Sequence, residues 1–408
     1  MYRMYQAQCD AMLPVRTMAA FASAALGMPA ARMFDNPFAR NADAGYQMLA
    51  LGGLTHTRPP FGIESVAVAG EERAVREEAA VVTPFATLLH FAKEGADAQP
   101  RVLVVAPLSG HFSTLLRGTV RTMLADHDVY LTDWHNARDV PAAAGTFGVD
   151  GYVEHVIRFL EAIGPGAHVV AVCQPAVAVL AAVAVMSEAG NAATPLSMTL
   201  MAGPVDTRQS PTTVNDLAKK KPISWFEQTL IDRVPLRYPG AGRRVYPGFV
   251  QLTAFMNMNL QRHLDAHRDL FYALVDGDEA KAQATRAFYD EYFAVLDLDA
   301  DFYLETVRTV FQEHALPLGR MTYRGRRVDP RAVERTSLLT IEGEKDDICG
   351  IGQTLAAHDL CATLKPYRKR HHLQAGVGHY GVFNGGRWNR QIYPVVSSVI
   401  LASERAGP

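Results

Sequence analysis

Short apolar runs and helical periodicity alternate along much of the chain. Four runs have the length and composition of buried strands, and they lie at 102–106, 128–132, 168–172 and 197–201. Between the second and the third, apolar residues from Tyr152 to Leu160 recur at intervals of three and four, which predicts an amphipathic helix. Strands that alternate with helices predict a mostly parallel sheet with helices on both faces, which is an α/β fold.

The alternation stops after the fourth run and resumes near residue 337. The resumed pattern predicts a strand, a helix, a strand and a helix, at 337–341, 352–361, 370–374 and 388–402. Between 206 and 320 the spacing is helical throughout. We therefore predict one α/β core formed by 101–205 and 321–408, a helical insertion at 206–320, and a helical and loop-like extension at 1–100. An insertion at this point is expected to form a lid over the carboxyl ends of the strands, where ligands bind in open α/β sheets.

Two apolar segments resemble targeting or membrane segments. The run Met18–Leu26 follows two arginines, as the apolar part of a signal peptide does, but polar residues precede it and favour a helix with two faces. Residues 169–186 carry no charge over nearly the length of a membrane span, but Gln174-Pro175 interrupts them. A buried strand that runs directly into a buried helix fits this segment better. We therefore expect a cytoplasmic protein without a transmembrane segment.

Composition excludes several classes of protein. The 408 residues are 49% hydrophobic and 20% charged, values close to globular averages that exclude disordered, collagenous and coiled-coil chains. A formal net charge of −2 gives no basic excess, so we expect no nucleic-acid partner. Four cysteines without a C-x-x-C pair fit a reducing compartment. The histidines and carboxylates have no spacing typical of a metal site.

The clearest chemical signal is the junction between the run 168–172 and the helix that follows. Cys173 comes directly after the run, and Pro175 stands in the first turn of the helix, a position that proline favours. α/β-Hydrolases place their nucleophile at such a turn, and helix N-termini favour thiolates. The glycines of the G-x-S-x-G pattern are absent, so an inert buried cysteine stays an alternative. The remaining cysteines are assigned to structural positions, and they are Cys9, Cys349 and Cys361.

Two downstream loops supply an acid and a base in the chain order that this fold requires. Asp346 lies just past the strand 337–341, and Asp347 beside it is the alternative acid. His379 lies in a glycine-rich loop after the next strand, where glycines let the backbone approach the nucleophile closely. The predicted catalytic triad is therefore Cys173, Asp346 and His379.

Backbone N–H groups near the nucleophile should stabilise an oxyanion. The N–H of Gln174, directly after the nucleophile, is one expected donor, and the loop after an earlier strand supplies the other. The candidates in that loop are Leu108, Ser109 and Gly110. We choose Ser109. His111 in the same loop and Trp134 after the next strand are expected either to contact substrate or to pack structurally.

Six longer motifs carry a resemblance to a known family. They are Ala-Pro-Leu-Ser-Gly-His at 106–111, Val-Cys-Gln-Pro at 172–175, Gly-Arg-Arg-Val-Tyr-Pro-Gly-Phe at 242–249, Phe-Tyr-Asp-Glu-Tyr at 288–292, Glu-Gly-Glu-Lys-Asp-Asp-Ile at 342–348 and Gly-His-Tyr-Gly at 378–381. Over nearly its whole length the chain resembles the intracellular poly(3-hydroxybutyrate) depolymerases, relatives of the polyhydroxyalkanoate synthases in the α/β-hydrolase superfamily. The resemblance implies that Cys173, Asp346 and His379 cleave esters of amorphous polymer at granules inside the cell.

The resemblance leaves several alternatives open. Water or the thiol of coenzyme A can release the acyl group from a thioester, and no other cofactor is expected. The basic patches Lys219–Lys221 and Arg243-Arg244 are either solvated faces or contacts for coenzyme A phosphates. Four aromatic residues either bind polymer or pack internally, and they are Trp225, Tyr246, Phe249 and Phe255. A synthase-type acyltransferase and a granule-coating protein are rival hypotheses, and a homo-oligomer is an open possibility.

Overall fold

The computed structural model describes residues 1–28, 36–95 and 98–406. In these ranges the strands are β1 Ser65–Val68, β2 Glu71–Val82, β3 Ala86–Lys93, β4 Arg101–Val105, β5 Asp128–Trp134, β6 His168–Val172, β7 Ser197–Met201, β8 Asp232–Arg233, β9 Arg244–Tyr246, β10 Leu298–Asp299, β11 Thr322–Tyr323, β12 Arg326–Arg327, β13 Ser337–Gly343 and β14 Lys369–Gln374. The α-helices are α1 Tyr2–Leu26, α2 Pro37–Leu51, α3 Arg117–Met123, α4 Val149–Ile163, α5 Ala176–Glu188, α6 Thr213–Lys220, α7 Ile223–Leu230, α8 Gly248–Met258, α9 Leu260–Asp276, α10 Glu279–Tyr292, α11 Ala300–Thr306, α12 Ala357–Leu360, α13 Gly385–Arg387 and α14 Tyr393–Ala406.

Nine of these strands form one large sheet, in the order β1-β2-β3-β5-β4-β6-β7-β13-β14. The strands from β5 to β14 in this order are parallel, and β3 runs antiparallel to both of its neighbours. From β2 onwards, the exchange of β4 with β5 and the antiparallel β3 give the topology of the α/β-hydrolase fold. The predicted fold class is confirmed.

The centre of the sheet explains the long charge-free segment of the sequence. Every residue of β6 is buried, and α5 is buried nearly all round because it packs against the sheet and α4. Apolar residues on all sides are required for such a helix. Within the described ranges, no helix has both the length and the apolar character needed to cross a membrane.

The sheet begins earlier in the chain than the predicted boundary at 101. Residues 65–93 form β1, β2 and β3, so the assignment of 1–100 to helices and loops is wrong for this segment. The reason lies in β2, where Val75 is the one buried side chain and charged residues occupy most other positions. A strand so exposed lacks the alternation of apolar and polar residues by which strands are recognised.

The insertion at 206–320 lies between β7 and β13, as predicted. It contains helices α6 to α11 and a small antiparallel sheet of β8, β9 and β10. The insertion contacts the loop after β4, where the Leu296 N–H donates to the Gly110 carbonyl at 2.9 Å. It also holds α1, since the Tyr2 hydroxyl donates to buried Asp297 at 2.7 Å.

Candidate active site

Cys173 lies in a strained turn between β6 and α5. Its φ is +67°, in the left-handed region that residues other than glycine rarely adopt, and its N–H donates to the Met201 carbonyl of β7 at 2.8 Å. Such a conformation costs of order 1–3 kcal/mol and persists only where surrounding contacts impose it. The half-buried thiol therefore projects from the carboxyl edge of the sheet, as the position of Cys173 between strand and helix predicts.

The close packing that this turn needs comes from a neighbouring strand. A Cβ placed on Gly203, just after β7, would lie 2.1 Å from the Ala176 Cβ and 3.0 Å from the Cys173 carbonyl oxygen. The first turn of α5 thus rests directly on bare backbone. Gly203 and Ala176 provide the space that glycines provide in the G-x-S-x-G pattern, whose glycine positions here hold Ala171 and Pro175.

His379 and Asp346 form a buried hydrogen-bonded pair. The distance from His379 Nδ1 to Asp346 Oδ2 is 2.7 Å, and the side chains are 6% and 0% exposed. The other carboxylate oxygen of Asp346 accepts from the backbone N–H groups of residues 348 and 349, at 2.9 and 2.8 Å. Asp347 is exposed. Of the two candidate acids, the structure brings Asp346 to His379.

The charges around His379 favour its protonated form. Burial by itself lowers the pKa of His379, but Cys173 and Asp346 outweigh it through charge and hydrogen bonding and raise this pKa well above 6.5. Nδ1 is engaged by Asp346, which leaves Nε2 for the thiol. The arrangement therefore favours an imidazolium at His379, with Nε2 directed to the thiol.

The two loops that carry the pair interlock. A Cβ on Gly343 would lie 2.9 Å from the Val377 carbonyl oxygen, and the Lys345 N–H donates to that same carbonyl at 2.8 Å. Glu342, which the sequence analysis did not single out, is buried and accepts from three backbone N–H groups between 352 and 355, at 2.8–3.0 Å. Its carboxylate accepts N–H groups at the start of the segment 352–361, which the sequence pattern predicts to be helical. A regular helix forms over only Ala357–Leu360.

A side-chain hydrogen bond connects the two segments predicted to supply the oxyanion donors. Gln174 is half-buried, and its side-chain Oε1 accepts the N–H of Leu108 at 3.3 Å. The loop is fixed at Gly110, whose φ of +91° accompanies the hydrogen bond to the insertion. The structure thus places the Leu108 N–H beside residue 174, while the choice of Ser109 stays a prediction.

His111 and Trp134 both have structural contacts. His111 is 3% exposed, stacks on Phe255 and bonds through Nε2 to the Tyr292 carbonyl at 3.2 Å, and burial lowers its pKa to about 4. It joins the loop after β4 to the insertion from behind the residues that line the cavity described below. Trp134 is 2% exposed and donates from Nε1 to the Ala106 carbonyl at 2.8 Å, so the expectation that it contacts substrate is wrong. Its ring lies in the core.

Arg243, of the basic pair at 243–244, fits neither of the two alternatives expected for it. Arg243 is buried, and its guanidinium donates to Asp299 at 2.8 Å and to the carbonyls of residues 140, 141 and 145. A side chain whose three guanidinium nitrogens all donate inside the protein is neither a solvated face nor a phosphate contact. Lys219–Lys221 are exposed, as expected.

The four aromatic candidates divide in the same way. Tyr246 is buried and stacks on another tyrosine ring, Phe249 stacks on Tyr5 at 3.9 Å, and Trp225 packs against the ring of its neighbour. These three contacts are internal. Phe255 alone among the four lines a cavity in the described structure.

Cys349 and Cys361 are buried, whereas Cys173 is half-buried. Burial raises the pKa of Cys349 well above its ordinary value and raises that of Cys361 to about 12. Both therefore remain protonated and unreactive near neutral pH. All four cysteines are free.

A cavity of about 790 Å³ lies between the insertion and the loops of the pair. Its aromatic wall comes mainly from α8 and α10 and consists of Phe255, Phe288, Tyr289, Tyr292 and Tyr380. Its polar wall includes Arg262, Lys345 and Asp347. His379 is one of the described residues that line the cavity, whereas Cys173 is not. The cavity thus reaches the site from the side of the histidine.

Comparison with known proteins gives one match at family level. Residues 202–404, just under half of the chain, match the family described as PHB de-polymerase C-terminus. The matched segment contains Asp346 and His379 but not Cys173. No curated protein sequence matches the chain.

Solved structures with similar folds are distant in sequence. A lipase from Acinetobacter baumannii AYE, titled as putative, is 14% identical over 80% of this chain and 93% of its own, with a TM-score of 0.42. The monoacylglycerol lipase of Paleococcus ferrophilus is 12% identical over 75% and 96%, with a TM-score of 0.45. At such values the assignment of the fold rests on strand order. The chain is an α/β-hydrolase-fold protein whose C-terminal half is similar to the C-terminus of PHB depolymerases.

Proposed function

We propose that this protein is an ester hydrolase that cleaves amorphous poly(3-hydroxybutyrate) and releases 3-hydroxybutyrate monomers and oligomers. The observation that carries the proposal is the pair formed by His379 and Asp346 at 2.7 Å, beside a cysteine held in a strained turn. A thiol, an imidazole and a carboxylate in this relation form the machinery of covalent acyl transfer.

The first half of the reaction forms a thioester. His379 holds the proton of the Cys173 thiol, and the thiolate attacks the ester carbonyl carbon, whose oxygen takes the negative charge. Backbone N–H groups of Gln174 and of the loop after β4 stabilise that oxyanion in this proposal. The tetrahedral intermediate collapses, the carbon–oxygen ester bond breaks, and the imidazolium gives its proton to the leaving 3-hydroxyl group.

The second half regenerates the thiol. The imidazole of His379 takes a proton from water, and the hydroxide attacks the thioester carbonyl. Collapse of this second intermediate breaks the carbon–sulfur bond and releases a carboxylic acid. The thiol of coenzyme A in place of water would yield 3-hydroxybutyryl-coenzyme A, and this route is the second candidate because thioesters exchange readily with thiols.

The polymer is supported as substrate by the similarity of residues 202–404 to PHB depolymerases. The aromatic wall of the cavity beside His379 suits an apolar polyester chain. We place the reaction at polymer granules in the cytoplasm, because amorphous polymer is stored there.

The decisive experiment measures acid release from amorphous granules by wild-type protein and by the C173A variant. We expect C173A to release none while it still binds granules. The C9A variant, which removes the half-buried thiol of α1, should act like wild type. Acid release by C173A would refute the assignment of the nucleophile.

The same assay separates the alternative products. Added coenzyme A leaves free 3-hydroxybutyrate as the product if water is the acceptor, and yields the coenzyme A thioester if thiolysis prevails. Formation of polymer from hydroxybutyryl-coenzyme A would indicate a synthase instead. Granule binding without any product would indicate a coating protein.

A further inference from the structure

We propose that the cavity beside His379 binds a free carboxylate of the substrate through Arg262 and Lys345, so that the enzyme acts on polyester at carboxylate-bearing chain ends and on short oligomers. This inference rests on the proposed function and specifies the form of its substrate. The observation behind it is two unpaired cations in the wall of the cavity that His379 also lines.

The two cations come from different parts of the fold. Arg262 lies on α9 of the insertion, on the face that also presents Asn259, His263 and Ala266 to the cavity. Lys345 lies in the loop after β13, one residue before Asp346. Within the described ranges, the side chain of neither cation forms an ion pair or a hydrogen bond. By contrast, Arg268 on the same helix as Arg262 is paired with Asp265 at 3.2 Å.

The other ionisable groups of the wall do not cancel this charge. Asp347 is the carboxylate among the described lining residues, and it accepts from Asn259 at 3.4 Å. Burial lowers the pKa of His263, and so do the charges of His267 and Arg262, which keeps this imidazole neutral near pH 7. Two cations against one anion leave the wall positive even before the proton on His379 is counted.

The rest of the wall indicates what accompanies the anion. Aromatic rings of α8 and α10 line the same cavity as the cations and offer apolar contact to methyl and methylene groups. A volume of about 790 Å³ accommodates a short oligoester. An interior stretch of polyester is neutral and would leave both cations unpaired, whereas a chain end carries one carboxylate that a guanidinium can bind with two hydrogen bonds.

The test compares a linear 3-hydroxybutyrate trimer as free acid with the methyl ester of the same trimer. Wild-type protein should show a kcat/KM about tenfold higher for the acid, the size of effect that ~1.4 kcal/mol of charge pairing produces. In R262Q and K345Q the ratio should fall towards one, mainly through a higher KM for the acid. Because the cations are exposed, high ionic strength should lower the wild-type ratio as well.

Controls separate this inference from damage to the site. R262Q should still cleave the methyl ester in a Cys173-dependent reaction, which reports an intact triad. R268Q changes an arginine of the same helix that lies outside the cavity wall, and should leave the ratio unchanged.

A wild-type ratio near one, or a ratio unaltered in R262Q, would overturn the carboxylate site. In either case, Cys173-dependent cleavage of the methyl ester would leave the proposed function standing. If neither trimer were cleaved, the carboxylate site would fall, while Cys173-dependent acid release from amorphous granules would still decide the proposed function.

Discussion

Replacing Asp346 by Asn tests the central pair with little change in shape. The Asn Oδ1 can still accept the backbone N–H groups of residues 348 and 349, so the loop should keep its conformation. The other oxygen, 2.7 Å from His379 Nδ1, becomes an N–H₂ donor that faces a donor. The imidazole must then shift its proton to Nε2, where it can no longer accept the proton of the Cys173 thiol.

The expected loss of activity is large because D346N changes the tautomer of His379 and also removes the negative charge at residue 346. Substitutions of this kind in catalytic triads lower kcat by about 10³–10⁴, which corresponds to ~4–5.5 kcal/mol in the activation barrier. The assay is the release of chromophore from a soluble aryl butyrate, with circular dichroism to verify the fold. D347N changes the neighbouring exposed carboxylate and should stay close to wild type. A D346N rate within tenfold of wild type would refute the role of the pair.

The same variant should change how stability depends on pH. The pKa of His379 is raised well above 6.5 in the folded protein, so the folded state holds a proton that the unfolded chain releases near pH 6.5. This contribution is fully present below that pH and is lost as pH rises through the folded pKa, with a slope of at most ~1.4 kcal/mol per pH unit. D346N removes one cause of the raised pKa, so the free energy of unfolding, measured with urea, should decline less steeply above pH 6.5. Equal slopes in the two proteins would contradict this.

Three further substitutions test packing and buried polar groups. G203A places a methyl group against the first turn of α5, which should destabilise the protein by about 1–3 kcal/mol or more and lower activity, and an unchanged melting temperature would count against the packing described. Y2F removes the hydroxyl that donates to Asp297, and burial raises the pKa of Asp297 to about 6. The free energy of unfolding in urea should fall by about 1–3 kcal/mol at neutral pH. This loss should shrink below pH 6, where Asp297 is protonated. R243M leaves buried Asp299 without its cation and should cost about 3–5 kcal/mol in the same assay, and a smaller loss than Y2F shows would contradict a buried pair.

The parts of the fold that could be predicted from sequence are those where burial requires a run or a periodic spacing of apolar residues. β6 is buried along its whole length, so its apolar run stood out, and Cys173 after it and Pro175 in the next turn indicated the strand–helix junction. β2 faces solvent and carries charges, so it left no such pattern. The choice of Asp346 over Asp347 followed from loop position, and the structure brings Asp346 to the histidine.

The contacts that could not be predicted join residues that are far apart in the chain. Gly203 supports the turn of Cys173 from the next strand, and no spacing rule connects the two positions. Glu342 ends an apolar run and looks like a solvated carboxylate, yet three backbone donors hold it in the interior. Trp134 and Arg243 were misassigned for the same reason, because tertiary packing decides which way a side chain at a strand end points.

The long separation between the nucleophile and its base has a consequence for biosynthesis. During synthesis from the N-terminus, Cys173 and its strand emerge about 200 residues before His379, which belongs to the final part of the chain. Until β13 and β14 are added to the sheet, neither the carboxylate nor the imidazole is present to take the thiol's proton. On the proposed assignment, the thiol of a nascent chain lacks its base until these strands have been made, which protects it from acylation or oxidation during synthesis.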